Sequence, residues 1–158
     1  MVRRINSTWV TISIFVFFYS VIAVAAPPAA TCALLTQAQA SAALGVPVNA
    51  GKSLVGTVCQ WEQPGKTGDE LLKLDVNIVN VERFNRIKTV SLGTVASVGG
   101  VGDDAYYATT KTGRSTVTTL NVKKGDTAVI IRVSGGTKPV EEYQAKEKAV
   151  AQAIVPKL

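Results

Sequence analysis

Apolar and polar residues alternate most strictly between residues 72 and 78, where Leu72, Leu74, Val76 and Ile78 are separated by polar side chains. This period of two predicts a strand with one buried and one solvated face. Four further runs predict strands, over residues 53–62, 104–110, 116–123 and 127–134. The connection Lys124-Gly125-Asp126 predicts a tight hairpin between the last two strands.

Two segments have helical signals instead. Thr36 and Gln39 fit a capping box, and Gly45 fits a left-handed helix stop, so a helix is predicted over 37–44. Apolar residues then recur every third position after the strand at 72–78, which predicts a second helix over 82–90.

A third helix is predicted to begin near Pro139, with Glu141 and Glu142 in its first turn. Its apolar residues fall on one side: Val140, Tyr143, Val150 and Ile154. The order of elements is then α-β-β-α-β-β-β-α, with short connections that favour antiparallel neighbours. We therefore expect an α+β fold, with a mainly antiparallel sheet of about five strands and helices packed on one face.

The N-terminus has the pattern of an export signal. Arg3 and Arg4 precede an apolar run that ends in small residues, and the triplet from Ala23 to Ala25 suits a signal peptidase. We expect residues 1–25 to be a signal peptide, cleaved after Ala25. The apolar run is also long enough to stay as a membrane anchor, which is the alternative. Beyond that segment no contact with a membrane is expected.

The two cysteines, Cys32 and Cys59, both follow the signal, and an exported chain meets an oxidising compartment. We expect them to form a disulfide. A reactive thiol pair is the alternative, but the C-x-x-C spacing and a histidine to lower a thiol pKa are both missing. Residues 26–158 are then expected to form a single periplasmic or secreted domain.

The net charge limits the classes of binding partner. Loss of Arg3 and Arg4 reduces the net charge from +6 to +4, and the remaining cations are dispersed along the chain. This favours weak, salt-sensitive contact with an anionic envelope polymer or an envelope protein. The sequence contains no cluster of basic and aromatic residues, so nucleic-acid binding is not predicted.

Motifs for cofactors and catalysis are incomplete. Gly51-Lys52-Ser53 and Gly65-Lys66-Thr67 resemble the end of a phosphate-binding loop but lack its upstream glycine. The run 100–105 has the spacing of a dinucleotide fingerprint but precedes a predicted strand, not a helix. The chain has no histidine, so a histidine base is excluded and zinc loses its commonest ligand. No cofactor, metal site or catalytic residue is therefore predicted.

Four residues are candidate binding groups. Trp61 and Tyr106 are predicted as aromatic anchors, with core packing as the alternative. Asp103 and Asp104 are also candidate binding residues. They could bind calcium, but the further oxygen ligands and the EF-hand spacing are missing, and a solvated turn is the alternative. Five acids are candidates for a carboxylate pair that hydrolyses envelope polysaccharide: Glu62, Asp69, Glu70, Asp75 and Asp103.

Several segments together resemble small exported bacterial envelope proteins of unknown function. They are Cys-Ala-Leu-Leu-Thr at 32–36, Ala-Ala-Leu-Gly-Val-Pro at 42–47, Cys-Gln-Trp at 59–61 and Gly-Gly-Val-Gly-Asp-Asp-Ala-Tyr at 99–106. The resemblance implies an exported bacterial domain stapled by a disulfide, and it implies no catalytic residues. The leading hypothesis is a non-enzymatic binding or interaction domain. The alternatives are a histidine-free carboxylate hydrolase and a carrier of an apolar ligand.

Overall fold

A computed structural model describes residues 30–112 and 115–158. The predicted signal peptide, its cleavage site and the alternative of an uncleaved anchor lie outside these residues. No helix in the two described ranges is both long and apolar enough to cross a membrane.

A seven-stranded sheet, antiparallel throughout, forms the centre of the fold, in the order β1-β2-β3-β7-β6-β5-β4. Its strands are β1 (Lys52–Ser53), β2 (Val58–Glu62), β3 (Lys73–Asn80), β4 (Thr94–Ser97), β5 (Asp104–Thr112), β6 (Ser115–Lys124) and β7 (Thr127–Ser134). The helices are α1 (Ala30–Ala33), α2 (Gln37–Leu44), α3 (Val81–Val90) and α4 (Val140–Ile154). Short 3-10 turns lie at Gly68–Glu70 and Val155–Lys157.

The two faces of the sheet build two separate apolar clusters. On one face Leu74, Leu120 and Ile131 are fully buried in the larger cluster, under α4 and the helix α2 that packs against it. On the other face Phe84 of α3 packs on Tyr106, with ring centroids 5.0 Å apart. Successive strand residues point to opposite faces, so consecutive apolar residues such as Ala128 and Val129 contribute to both clusters.

Local sequence signals explain the elements that were predicted best. The Thr36 side chain accepts the Gln39 N–H, the Gln39 side chain accepts the Thr36 N–H, and Gly45 has a φ of 72°. The capping box and the left-handed stop therefore fix α2 at the predicted residues. The predicted hairpin is also confirmed, since β6 and β7 pair up to Lys124 and Thr127 around Gly125.

The predicted disulfide between Cys32 and Cys59 is confirmed, with Cα atoms 5.2 Å apart. It ties α1 to β2. The Trp61 indole lies beside it, and a Cβ on Gly51 would lie 2.7 Å from that ring and 2.9 Å from the Cys59 sulfur. Glycine at position 51 therefore lets the chain cross closely over the disulfide and the ring.

The predicted element order needs correction, because the sheet has seven strands and not about five. The predicted strand over 53–62 is two strands, because a turn at Gly56, with a φ of 52°, returns the chain from β1 to β2. The additional strand β4 lies inside the glycine-rich passage, and α1 precedes the first predicted helix. Short edge strands form because a neighbour offers a free edge, and their own sequence pattern is too short to reveal them.

The helices also do not all pack on one face. Helix α3 follows β3 without a loop, and Phe84 meets Val79, Ala108 and Ala128, which point away from α4. Polar residues such as Gln60, Asp75 and Arg132 lie elsewhere on this outer face.

Candidate functional site

The sheet splits between its central strand, β7, and the neighbouring strand β6. β6 and β7 pair from Lys124–Thr127 to Leu120–Ile131 and no further. Beyond that point β6 stays paired with β5 on its other side, and β7 stays paired with β3. Residues 116–119 of β6 and 132–134 of β7 therefore face each other as two strand edges with no ladder between them, and we call this gap the sheet fork.

A cleft of about 820 Å³ occupies the sheet fork. This volume is in the usual range for small-ligand sites. Most of its lining is polar, and it continues from the fork across the outer face of β3 and under the loop before α4. The lining includes Gln60, Asp69, Lys73, Asp75, Thr116, Val117, Arg132, Val133, Ser134, Gly135, Gly136, Thr137, Lys138, Pro139, Val140 and Tyr143.

The rim of the cleft is a rigid glycine turn. Gly135 and Gly136 both have left-handed φ values, of 84° and 68°. The Tyr143 hydroxyl lies within hydrogen-bonding distance of both glycine carbonyls and accepts the Lys138 N–H at 3.2 Å. The Gly136 N–H also donates to the Asp69 carbonyl at 2.6 Å. The turn thus closes one end of the fork and is held from both α4 and the 3-10 turn.

Glu147 of α4 lies beneath the fork. It has no exposed surface, and its Oε1 accepts the Val133 N–H at 3.1 Å. In the register Val133 lies opposite Leu74 of β3. The Oε2 atom of Glu147 has no hydrogen-bond partner among the described residues. Burial raises the pKa of Glu147 to about 8, and the Val133 N–H and Arg132 oppose this shift. The side chain is therefore mainly protonated at pH 7.

One cation in the cleft is not committed to an ion pair. Arg132 is exposed on the outer face and forms no ion pair with any described residue. Asp75 lies opposite Arg132 in the register, but its Oδ1 accepts the Gln60 amide at 2.7 Å. By contrast Lys73 pairs with Glu62 at 3.1 Å.

The second lysine of the lining, Lys138, lies 3.7 Å from Glu142. Arg132 is thus the cation available to a ligand. Arg132 and the strand edges without ladder hydrogen bonds together suit the cleft to bind a polar, extended group that carries a negative charge.

The described residues contain no evident metal site. Within residues 30–112 and 115–158, no group of three histidine, cysteine, aspartate or glutamate side chains is placed to hold an ion.

The structure places the two predicted aromatic anchors in the interior. Trp61 is fully buried beside the disulfide, and its Nε1 has no hydrogen-bond partner among the described residues. Tyr106 is fully buried against Phe84, and its hydroxyl donates to the Phe84 carbonyl at 2.8 Å. Burial also raises the pKa of Tyr106 to about 12. Neither ring reaches the cleft.

The two predicted aspartates lie on the other side of the molecule from the fork. Asp103 accepts the Gly125 N–H at 2.7 Å and pairs with Lys124 at 3.0 Å, at the closed end of the β6–β7 hairpin. Asp104 pairs with Lys88 of α3 at 2.9 Å. These contacts fasten the hairpin and α3 to β5.

Of the five acids considered for a carboxylate pair, the structure brings Asp69 and Asp75 to one cleft. Glu62 is held by Lys73, and Glu70 is exposed and held by Lys66 at 3.1 Å. Asp103 is remote.

Sequence reasoning missed Arg132 and Glu147. Glu147 follows Tyr143 by four residues and precedes Val150 by three, so it occupies the apolar stripe of α4. A charged residue in the middle of such a stripe was the available signal. Arg132 interrupts an otherwise apolar strand between Ile131 and Val133, but its lack of an ion pair is visible only in three dimensions.

Comparison of the chain with protein-family models, curated proteins and solved structures finds no match.

Proposed function

We propose that this protein is an exported, non-enzymatic binding domain whose ligand site is the sheet fork. The proposal rests on one observation. Two strand edges that share no ladder hydrogen bonds, and Arg132, which forms no ion pair with any described residue, lie together in a cleft of about 820 Å³. Unpaired strand edges are usually covered or blunted in proteins, because they attract other chains. Here they face an open cleft.

Export is part of the proposal. The disulfide between Cys32 and Cys59 suits an oxidising compartment. The signal pattern of residues 1–25 and the resemblance to small exported envelope proteins support the same location. An envelope protein or an anionic envelope polymer is then the expected partner.

The geometry gives less support to the alternatives. A glycosidase needs a protonated acid that reaches its substrate. The acid with a raised pKa, Glu147, is fully buried, and Asp75 is engaged by Gln60. A carrier of apolar ligands needs an apolar cavity. The lining of the cleft is mainly polar, and the groove between α2 and α4 is a shallow surface of about 330 Å³ lined by Gln39 and alanines.

Site-specific photo-crosslinking in the native envelope tests the proposal. A photoreactive p-benzoylphenylalanine replaces Thr137 on the rim of the cleft, and in a control it replaces Gln152, which is exposed on α4 outside the cleft. We expect an adduct from position 137 and none from position 152, and we expect Arg132→Glu to remove it. Mass spectrometry of the same material should show a chain that starts at Ala26 with no alkylatable thiol.

Two results would contradict the proposal. Equal adducts from positions 137 and 152 would show that the fork has no special role. A chain that keeps Met1, or that has two free thiols, would contradict export and cleavage.

A further inference from the structure

We infer that the sheet fork binds an extended peptide segment, which enters as a strand between β6 and β7 and places an acidic side chain opposite Arg132. This inference rests on the proposed function and specifies the ligand of the same site.

The first support is the backbone. Residues 116–119 and 132–134 are extended, are each paired on one side, and diverge from each other. An extended peptide can form ladder hydrogen bonds with such edges, as in strand addition at the edge of a sheet. Because two edges face each other here, the peptide can form hydrogen bonds along both of its sides.

The second support is Glu147, which occupies the place of a missing strand. In a continuous sheet the Val133 N–H would be bonded to a carbonyl of the next strand. Here the buried carboxyl of Glu147 accepts it instead, and the second oxygen of that carboxyl remains without a partner among the described residues. The floor of the fork therefore holds one strand donor that is satisfied by a side chain and one carboxyl oxygen without a partner among the described residues. A peptide backbone supplies a partner for that oxygen.

The third support is charge, which selects the peptide. Side chains directly opposite each other on paired strands share a face of the sheet. A peptide strand beside β7 therefore places one side chain next to Arg132 on the outer face. The other cations of the lining, Lys73 and Lys138, lie in ion pairs. A glutamate or aspartate at that position gives Arg132 the partner that Asp75 does not provide.

The wall of the fork sets a further preference. β6 contributes Thr116, Val117 and Thr119 to this region, and none of them is charged. The peptide positions beside the acidic residue are thus expected to be uncharged, and β-branched residues would favour the extended backbone.

The test is an NMR titration of the purified, disulfide-bonded protein with the capped peptide Thr-Val-Glu-Val-Thr. A second peptide carries lysine in place of glutamate, and a third is the glutamate peptide methylated on the two valine nitrogens. We expect the glutamate peptide to shift the amide resonances of residues 116–119 and 132–134. The lysine peptide should bind about tenfold more weakly. The methylated peptide should not bind, because it loses the valine donors along one of its two edges and the methyl groups keep that edge away from the neighbouring strand.

A charge exchange separates specific pairing from general attraction. In R132E the preference should reverse, so that the lysine peptide binds about tenfold more tightly than the glutamate peptide. The matched control is R86E, which makes the same change on the exposed surface of α3, away from the cleft. R86E should keep the preference of the unchanged protein.

Three outcomes would overturn the inference: no binding of the glutamate peptide, equal binding of its methylated copy, or no reversal in R132E. If one of these occurs while position 137 still crosslinks specifically in the envelope, the peptide ligand is wrong and the fork remains the binding site. If the crosslink fails as well, both proposals are wrong.

Discussion

The two ends of the β6–β7 pair differ in almost every physical respect. At the closed end the strands are in register up to Lys124 and Thr127, and the connection between them is two residues long. At the fork the ladder has ended, and a helix side chain, Glu147, accepts a strand N–H. One end satisfies its backbone locally, and the other depends on a distant element.

The carboxyl groups at the two ends show what this difference means. Asp103 is exposed, and hydrogen bonds from the Gly125 N–H and Lys124 lower its pKa. Glu147 is buried, and desolvation raises its pKa to about 8. At neutral pH the closed end is therefore fastened by an ionised acid, whereas the fork is underlain by a neutral one. An ionised acid strengthens hydrogen bonds from donors, and a neutral one avoids the cost of a buried charge.

The largest expected difference between the two ends comes from their glycines. Gly135→Ala forces a left-handed alanine and places its Cβ against the carbonyl oxygen of Leu71. We expect a loss of about 3 kcal/mol in the free energy of unfolding, from conformational strain and overpacking together. Gly125→Ala also forces a left-handed alanine, but its Cβ would meet nothing within 4 Å. Its loss should be about 1 kcal/mol.

Urea unfolding of the two variants measures this difference. Equal losses would show that the turn at Gly135 yields easily, and that the fork is less rigid than its hydrogen bonds indicate. A free energy of unfolding of Gly135→Ala equal to that of the unchanged protein would lead to the same conclusion.

The same contrast explains what was predictable from sequence. The closed hairpin follows from local signals, namely the alternation over 116–123 and the turn around Gly125. The fork was not predicted, because β6 and β7 each continue as one extended strand through the point where the ladder between them ends. The contact that replaces the ladder, from the Val133 N–H to Glu147 of α4, joins two elements and is not specified by the pattern of either strand.

The residues singled out in the sequence divide in the same way. The disulfide was predicted from the presence of two cysteines and an expected oxidising compartment, with no competing partner for either cysteine. Trp61 and Tyr106 could be recognised as large aromatic residues, but their burial depends on Gly51 and on α3. Chain pattern alone does not specify which face α3 covers.

The next prediction concerns pH dependence at the fork. The folded pKa of Glu147, about 8, lies above its ordinary value of 4.5, so the native state binds more protons than the unfolded state between these values. The free energy of unfolding should therefore fall as the pH rises from 5 to 8, by up to about 1.4 kcal/mol per pH unit from this group. Glu147→Gln removes the titration and keeps an oxygen for the Val133 N–H.

Urea unfolding at pH 5 and pH 8 compares the two proteins. At pH 5 the variant should be the less stable by about 1 kcal/mol, because its amide has an additional unpartnered donor. At pH 8 the difference in stability between the two proteins should become smaller or change sign. A stability difference that is the same at both pH values would show that Glu147 does not titrate in this range.

The smallest expected effect lies at the closed end and has the opposite sign. The folded pKa of Asp103 lies below 3.8, so the stability it contributes is present above that pH and is lost as the pH falls through the lowered value. Asp103→Asn should lower the thermal midpoint slightly at pH 7, and this difference should shrink in acid. Asp126→Asn, on the same hairpin and also exposed, is the matched control for the loss of one acidic group. The amide resonance of Gly125 reports the titration directly, because its N–H donates to the Asp103 carboxylate. A titration midpoint at or above 3.8 would show that the hydrogen bond does not favour the ionised acid, and the contrast between the two carboxyl groups would then rest on burial at the fork alone.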